Sequence, residues 1–177
     1  MAKARVLIPA REIAVRTQVL GEEIQRHYAV HGQKLNRVVI VLKGAAMFAH
    51  ELMKHLNHDL RVSYMTALSY GNGQNSSGTV EMEGMFCIKP GENVLIIEDI
   101  VDTGNTIRSI VDKLLEQQPA TLKVVSLLDK PSRRDVDNID VNPDWYGFRI
   151  DDLFVYGHGL DLAEQYRGAP DVMVLEG

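Results

Sequence analysis

The chain has 177 residues, 45% of them hydrophobic and 24% charged, which fits one soluble globular domain with a core of its own. Its net charge is −5 and it carries no basic run of five or more residues, which argues against binding the backbone of DNA or RNA by bulk electrostatics. The single cysteine, Cys87, cannot close an internal disulfide and fits a reducing, cytoplasmic setting; no apolar stretch approaches membrane-span length, and the first eleven residues lack a signal-peptide core.

In chain order, residues 10–31 predict a helix, with Ile13, Val15, Val19, Leu20, Ile24 and Tyr28 near a 3.6-residue period and Gly32 at its end. Val38 to Leu42 is a continuous apolar, mostly β-branched run, the pattern of a strand buried on both faces of a parallel sheet. Gly44 breaks it, and residues 45–56 predict a second helix. Residues 60–68 predict a strand, residues 69–78 a polar mobile loop, and residues 79–88 a returning strand that contains Cys87. Val94 to Ile97 is another fully apolar strand, followed by a helix over residues 105–117 with Ile107, Ile110, Val111, Leu114 and Leu115 on one side. Leu122 to Leu128 predicts a further strand. The recurring strand–helix–strand order argues for an α/β domain with a parallel sheet, and the Asp-, Pro-, Gly- and aromatic-rich region after Pro131 predicts a cap over the sheet edge.

The chemistry concentrates in Val94–Ile107, VLIIEDIVDTGNTI. The apolar strand is expected to end at Ile97, ahead of the acidic pair Glu98-Asp99 and a turn that opens a helix. Ligands of open parallel sheets bind beyond the carboxyl ends of the strands. Small residues in the turn let backbone N–H groups face inward, the Thr103 and Thr106 hydroxyls add donors, and the helix start adds partial positive charge, all of which favour a phosphate monoester. The turn lacks the Gly-Lys-Ser/Thr ending of a nucleoside-triphosphate loop. Glu98, Asp99 and Asp102 would repel that phosphate unless vicinal sugar hydroxyls or a hard cation such as Mg²⁺ engage them. Asp102 stands where it can act as a general base, or where it and Thr103 simply cap the helix.

VLIIEDIVDTG resembles the phosphoribosyl pyrophosphate motif of type I phosphoribosyltransferases, and from about residue 38 to 167 the chain resembles the hypoxanthine–guanine phosphoribosyltransferases in their short bacterial form. The resemblance implies the type I fold, a mainly parallel twisted sheet flanked by helices. It implies one domain over residues 1–177, with a core of about 34–130 and a hood made from about 131–177 and the N-terminal segment.

It also implies roles. Glu98 and Asp99 would contact the ribose hydroxyls, Asp102, Thr103, Gly104, Asn105 and Thr106 would hold the 5′-phosphate, and Asp102 would be the general acid/base at N7 of the base. Leu42, Lys43 and Gly44 match the pyrophosphate loop, whose Leu–Lys peptide is often cis in the family, and Arg167 matches its pyrophosphate-binding arginine. Ser69 and Tyr70 match the Ser-Tyr pair of a loop that closes over the site. Lys130 matches the lysine at the purine O6, a donor that suits a 6-oxopurine over adenine, with Phe154 stacking on the base and Val155 at its edge. Asp161 matches a Mg²⁺ ligand, alongside Glu98 and Asp99. Residues 132–143 are acidic and depart from better-known members, as does Asp152-Leu153 ahead of Phe154.

The implied activity is purine salvage: Mg²⁺-dependent transfer of a phosphoribosyl group to hypoxanthine and guanine by a cytoplasmic homodimer or homotetramer, with no nucleic-acid or membrane partner. Rival readings are a xanthine, adenine or orotate acceptor on the same fold, an RNA-binding regulator, and a plain sugar-phosphate-binding module. Lys130 and Phe154 speak against adenine and orotate, the acidic net charge against RNA, and Lys43 with Arg167 against the last.

Overall fold

The computed structural model describes residues 3–69, 80–83, 88–135, 137 and 140–176. The elements are β1 (Lys3–Ile8), α1 (Ala10–Val30), β2 (Arg37–Leu42), α2 (Ala46–Met53), β3 (Arg61–Ser69), β4 (Val80–Glu83), β5 (Asn93–Val101), α3 (Asn105–Leu115), β6 (Thr121–Asp129), β7 (Trp145–Arg149), β8 (Val155–Tyr156) and β9 (Val172–Glu176), with a 3-10 turn at Pro131–Arg133. The main sheet has six strands in the order β4-β3-β2-β5-β6-β7, and only the β3–β4 pair is antiparallel.

Both faces of this sheet are covered, which is why β2 and β5 read as unbroken apolar runs. Successive side chains point to opposite faces. Val38 and Ile40 of β2 and Leu95 and Ile97 of β5 pack with Ile13, Leu20, Phe48 and Leu52 of α1 and α2. Val39 and Val41, with Val94 and Ile96, pack with Ile107, Ile110 and Leu114 of α3 on the other face.

The strand order turns at β2 and β5. The connection from β2 runs outward to β3, and that from β5 runs outward the other way to β6. The loops after β2 and β5 therefore leave neighbouring strands at one sheet edge and splay apart, leaving a crevice between them.

Two expectations are corrected in detail. β5 continues past Ile97 to Val101, because its parallel pairing with β6 extends to Val101 opposite Asp129; Glu98 and Asp99 are therefore strand residues. The buried stripes are also narrower than periodicity implied. Val15 and Val19 of α1 and Leu115 of α3 are exposed, since α1 buries Ile13, Thr17, Leu20, Gly21, Ile24 and Tyr28, and α3 buries Ile107, Ile110 and Leu114.

The segments left unassigned by periodicity form a second, antiparallel sheet, β1-β9-β8. It joins the chain's first strand to its last. The start of α1 has no side-chain cap from its own N-cap, Pro9; the Ala10 N–H donates instead to Asp171 Oδ1 at 2.7 Å, just ahead of β9. No helix among the described residues is long and apolar enough to cross a membrane. Tyr70 and Cys87 lie outside the described residues.

At the amino ends of the strands, away from the crevice, a buried ion-pair network ties β2, β3 and β5 together. Arg37 Nε donates to Glu92 Oε2 at 2.8 Å and Arg37 Nη1 to Ser63 Oγ at 2.8 Å, while Arg61 reaches the same carboxylate. Burial alone would raise the Glu92 pKa, but Arg37, the Lys89 N–H and Arg61 outweigh it and hold it down at about 2. A depressed acid contributes stability above its unfolded pKa and loses it as pH falls toward the folded one. Glu92→Gln should therefore cost roughly 3 kcal/mol at pH 7 and less than half of that at pH 3. Denaturant unfolding of both proteins across that range checks this; a gap that does not change with pH would contradict it.

Candidate active site

A cavity of about 400 Å³ opens in the crevice at the carboxyl ends of β2 and β5. Leu42, Lys43 and Gly44 line one side; Glu98, Asp99, Asp102, Thr103, Gly104 and Thr106 line the other; Asp161 closes the third. These are most of the residues singled out from the sequence, brought together by three separate segments.

The backbone of the loop after β2 runs directly against the Asp99 side chain of β5. A Cβ built on Gly44 would lie 1.6 Å from Asp99 Oδ2, and one on Gly159 would lie 2.1 Å from the Gly44 carbonyl oxygen. Gly159 also has a φ of +100°, a conformation costly for any side chain. Glycine at both places lets Asp99, the Lys43-Gly44 loop and the segment carrying Asp161 converge. The Leu42–Lys43 peptide is cis.

The acidic pair is enclosed. Glu98 is buried, its Oε1 accepts the Asp99 N–H at 3.0 Å, and Asp99 Oδ1 accepts the Ile100 N–H at 2.7 Å. Burial, and then the charge of its neighbour Asp99, pushes the Glu98 pKa well above the usual carboxylate range; burial pushes Asp99 up as well. Two carboxylates in one low-dielectric wall share protons unless a cation compensates them. With Asp161 facing the same cavity, the donor set is hard oxygen, the kind that suits Mg²⁺. Among the described residues no cluster of three such side chains is close enough to enclose a metal by itself. A metal that keeps water or substrate oxygens in its shell fits this arrangement.

The turn after β5 has Gly104 at φ +90° as the N-cap of α3. The first N–H groups of α3 have no carbonyl partner within the helix, so their donors and the helix dipole serve the mouth of the cavity. Thr103 Oγ1 lies 3.5 Å from the Asn105 N. Asn105 itself is not in the cavity wall; its Nδ2 donates to Asp135 Oδ2 at 2.5 Å.

Asp102 stands between this turn and the end of β6. Lys130 Nζ lies 3.4 Å from Asp102 Oδ2, and Arg133 Nε lies 3.2 Å from Asp102 Oδ1. Arg133 also lies 3.5 Å from Asp152 Oδ1. The Lys130 side chain is only 7% exposed, and its ammonium group lies by the carboxylate that faces the cavity.

Phe154 is 58% exposed, beside the buried Val155 at the start of β8. An exposed aromatic ring offers its face to an apolar ligand. Arg167 lies 2.7 Å from Asp161 and 3.2 Å from Glu164, and Lys43 donates to the other Glu164 oxygen at 2.9 Å. Lys43, then Arg167, hold the Glu164 pKa down. Ser69 is the last residue of β3, opposite Val80 of β4. Glu164, Arg133, Arg134 and Asp129 have no role in the sequence reading, yet the first three each touch a residue that does, and Asp129 pairs with Arg134. The signal was a buried acid and two arginines placed directly after an apolar strand.

Comparison with known proteins agrees with this geometry. The phosphoribosyl transferase domain family matches residues 17–161. The chain is 38% identical over 173 residues to the hypoxanthine-guanine phosphoribosyltransferase of Bacillus subtilis, covering 97% of this chain and 93% of that one. It is 39% identical over 166 residues to the hypoxanthine phosphoribosyltransferase of Escherichia coli, covering 93% and 91%. A solved hypoxanthine phosphoribosyltransferase from Staphylococcus aureus superposes with a TM-score of 0.86 at 35% identity, over 97% of this chain and 91% of that one. The hypoxanthine phosphoribosyl transferase of Trypanosoma cruzi does so at 0.88 and 34%, over 99% and 92%. The fold is thus the type I phosphoribosyltransferase fold, and the chain belongs to the phosphoribosyltransferase family, among the hypoxanthine–guanine phosphoribosyltransferases.

Proposed function

We propose that the protein is a purine-salvage enzyme that transfers the 5-phosphoribosyl group of phosphoribosyl pyrophosphate to N9 of hypoxanthine, and of guanine, giving IMP or GMP and pyrophosphate. The observation that carries this reading is the pair Asp102–Lys130, 3.4 Å apart at the end of the cavity that holds the acidic pair. One group handles a proton and the other donates to a carbonyl. Together they match the N7 and O6 edge of a 6-oxopurine. Adenine offers no acceptor at position 6, so Lys130 would face an amino group there.

The roles are those the family resemblance implies for these residues. Asp102, Thr103, Gly104, Asn105 and Thr106 hold the 5′-phosphate at the start of α3. Glu98 and Asp99 take the ribose hydroxyls. Leu42, Lys43, Gly44 and Arg167 take the pyrophosphate. Phe154 stacks on the purine and Val155 borders its edge. On the family resemblance Ser69, at the end of β3, and Tyr70, outside the described residues, are assigned to closing the reacting centre against water. Glu98, Asp99 and Asp161 would hold Mg²⁺, which would supply positive charge for the leaving pyrophosphate.

The C1′–oxygen bond to pyrophosphate breaks, and its electron pair leaves with pyrophosphate. N9 forms the new bond at C1′, and Asp102 accepts the proton from N7. Lys43 and Arg167 stabilise the charge on the leaving group. In this reading catalysis is chiefly positioning and electrostatics.

We read residues 1–177 as one domain, with a core of about 34–130 and a hood of about 131–177 plus the N-terminal segment; the pairing of β1 with β9 supports that grouping. A cytoplasmic homodimer or homotetramer is the expected form, on family likeness and on the single cysteine. The C-terminal region of the similar Trypanosoma cruzi protein is linked to oligomeric state.

An absorbance assay with Mg²⁺ and phosphoribosyl pyrophosphate tests the reading. Hypoxanthine or guanine should turn over and adenine should not, and Asp102→Asn should lower kcat by about 100-fold or more. Turnover of adenine, or of no base, would overturn it. A second expectation concerns the acidic pair. A raised carboxyl pKa leaves stability intact at low pH and erodes it as pH rises toward the folded pKa. Glu98→Gln should therefore melt higher than the parent at pH 8 in EDTA, equally at pH 4, and gain less from added Mg²⁺ with phosphoribosyl pyrophosphate. Thermal melts read all three; a variant less stable at pH 8 in EDTA contradicts the account.

A further inference from the structure

Asp102 and Lys130 come from different strand ends, and one buried side chain holds both. The Arg134 side chain is 3% exposed. Its Nη1 donates to the Val101 carbonyl at 2.8 Å and the Lys130 carbonyl at 3.1 Å, and also reaches the carbonyl of Asp102. Its Nε donates to the Val141 carbonyl at 2.6 Å. Its Nη2 pairs with Asp129, whose side chain is fully buried and whose second oxygen lies 3.1 Å from Arg149 Nε. The Lys130 N–H donates to the Val101 carbonyl at 2.9 Å, so the two strand ends are already in register at that point. The guanidinium fixes what register alone leaves free, the peptides that carry the Asp102 and Lys130 side chains.

We infer that Arg134, anchored by Asp129, is a positioning residue for phosphoribosyl transfer: it sets the separation of Asp102 and Lys130 without touching the base. The inference rests on the roles proposed above for those two residues. The geometry asks for arginine in particular. Its planar fork serves carbonyls on one edge and a carboxylate on the other at the same time. Lysine keeps the charge, but its three N–H donors sit on one nitrogen and do not span Asp129 and the carbonyls of Val101, Lys130 and Val141 as the guanidinium does. A displacement of about 1 Å in a catalytic group costs on the order of 100-fold in rate, which is the scale at stake.

Steady-state kinetics of the full chain test this with Arg134→Met, Arg134→Lys and Asp102→Asn, each checked by thermal melting. Arg134→Met should lower kcat with hypoxanthine about 30- to 100-fold and leave the KM for phosphoribosyl pyrophosphate within about 3-fold. Arg134→Lys should fold as the parent does and still fall about tenfold in kcat; it decides the matter if the methionine variant fails to fold. Because Arg134 acts through Asp102, the double variant Arg134→Met/Asp102→Asn should be no slower than Asp102→Asn alone by more than about 3-fold. A lysine variant with unchanged kcat, equal losses in kcat and in both KM values, or additive effects in the double variant would overturn the inference. An inactive parent enzyme would instead overturn the functional reading beneath it, whereas an active parent slowed by Asp102→Asn keeps that reading and leaves Arg134 alone on trial.

Discussion

The site depends on a steric constraint: two backbone segments that carry no side chain where they cross. Gly44 passes Asp99 so closely that a methyl group would coincide with its carboxylate, and Gly159 passes the Gly44 carbonyl in the same way. Only because both are glycine do the loop after β2, the end of β5 and the segment bearing Asp161 meet around one cavity. The main sheet prepares this meeting by placing its reversal of strand order between β2 and β5. The small sheet completes it. Pairing of β8 with β9 and of β9 with β1 anchors the stretch that runs through Gly157 to Arg167 back over the crevice. The His158 N–H donates to the Ala169 carbonyl at 2.7 Å and the Gly159 N–H to the Arg167 carbonyl at 2.8 Å, which fixes that stretch in turn.

Electrostatics give the cavity its preference. The chain as a whole is acidic, so an anionic substrate must be met locally. The cations that would meet it are held by carboxylates around the rim: Lys43 and Arg167 by Glu164 and Asp161, Lys130 and Arg133 by Asp102. Buried Glu98 and half-buried Asp99 accept backbone N–H groups instead, and burial holds both pKa values up although the Arg167 charge draws Asp99 down. On the proposed function, a phosphorylated sugar arriving with Mg²⁺ would answer both conditions at once: the metal would compensate the carboxylates and the phosphates would replace Glu164 at Lys43 and Arg167.

Legibility in the sequence divides along physical lines. β2, β5 and α3 were readable because burial on both faces makes a strand continuously apolar and burial on one face makes a helix periodic. The turn from Asp102 to Thr106 was readable because its residue types carry the chemistry themselves. β1, β8 and β9 were not, since their pairing joins opposite ends of the chain and short antiparallel strands leave little local pattern. The end of β5 was placed too early because Glu98 and Asp99 look like solvated residues, and only the neighbouring β6 keeps them in the sheet. Arg134 was invisible for a related reason: its partners are backbone carbonyls, which every residue has. Ser69, expected as the first residue of a polar loop, is instead the last residue of β3, while Tyr70 falls outside the described residues.

The central claim is that the crossing of Gly44 over Asp99 builds the binding site rather than the fold. Titration calorimetry of phosphoribosyl pyrophosphate with Mg²⁺ into the parent and into Gly44→Ala tests it directly. The added methyl meets a side-chain carboxylate, so Asp99 must swing out of the cavity wall while the sheet beneath is kept. The account predicts a variant that melts within a few degrees of the parent and binds at least about 100-fold more weakly, the scale of a misplaced ligand-holding group. Unchanged affinity in a folded Gly44→Ala protein would contradict it.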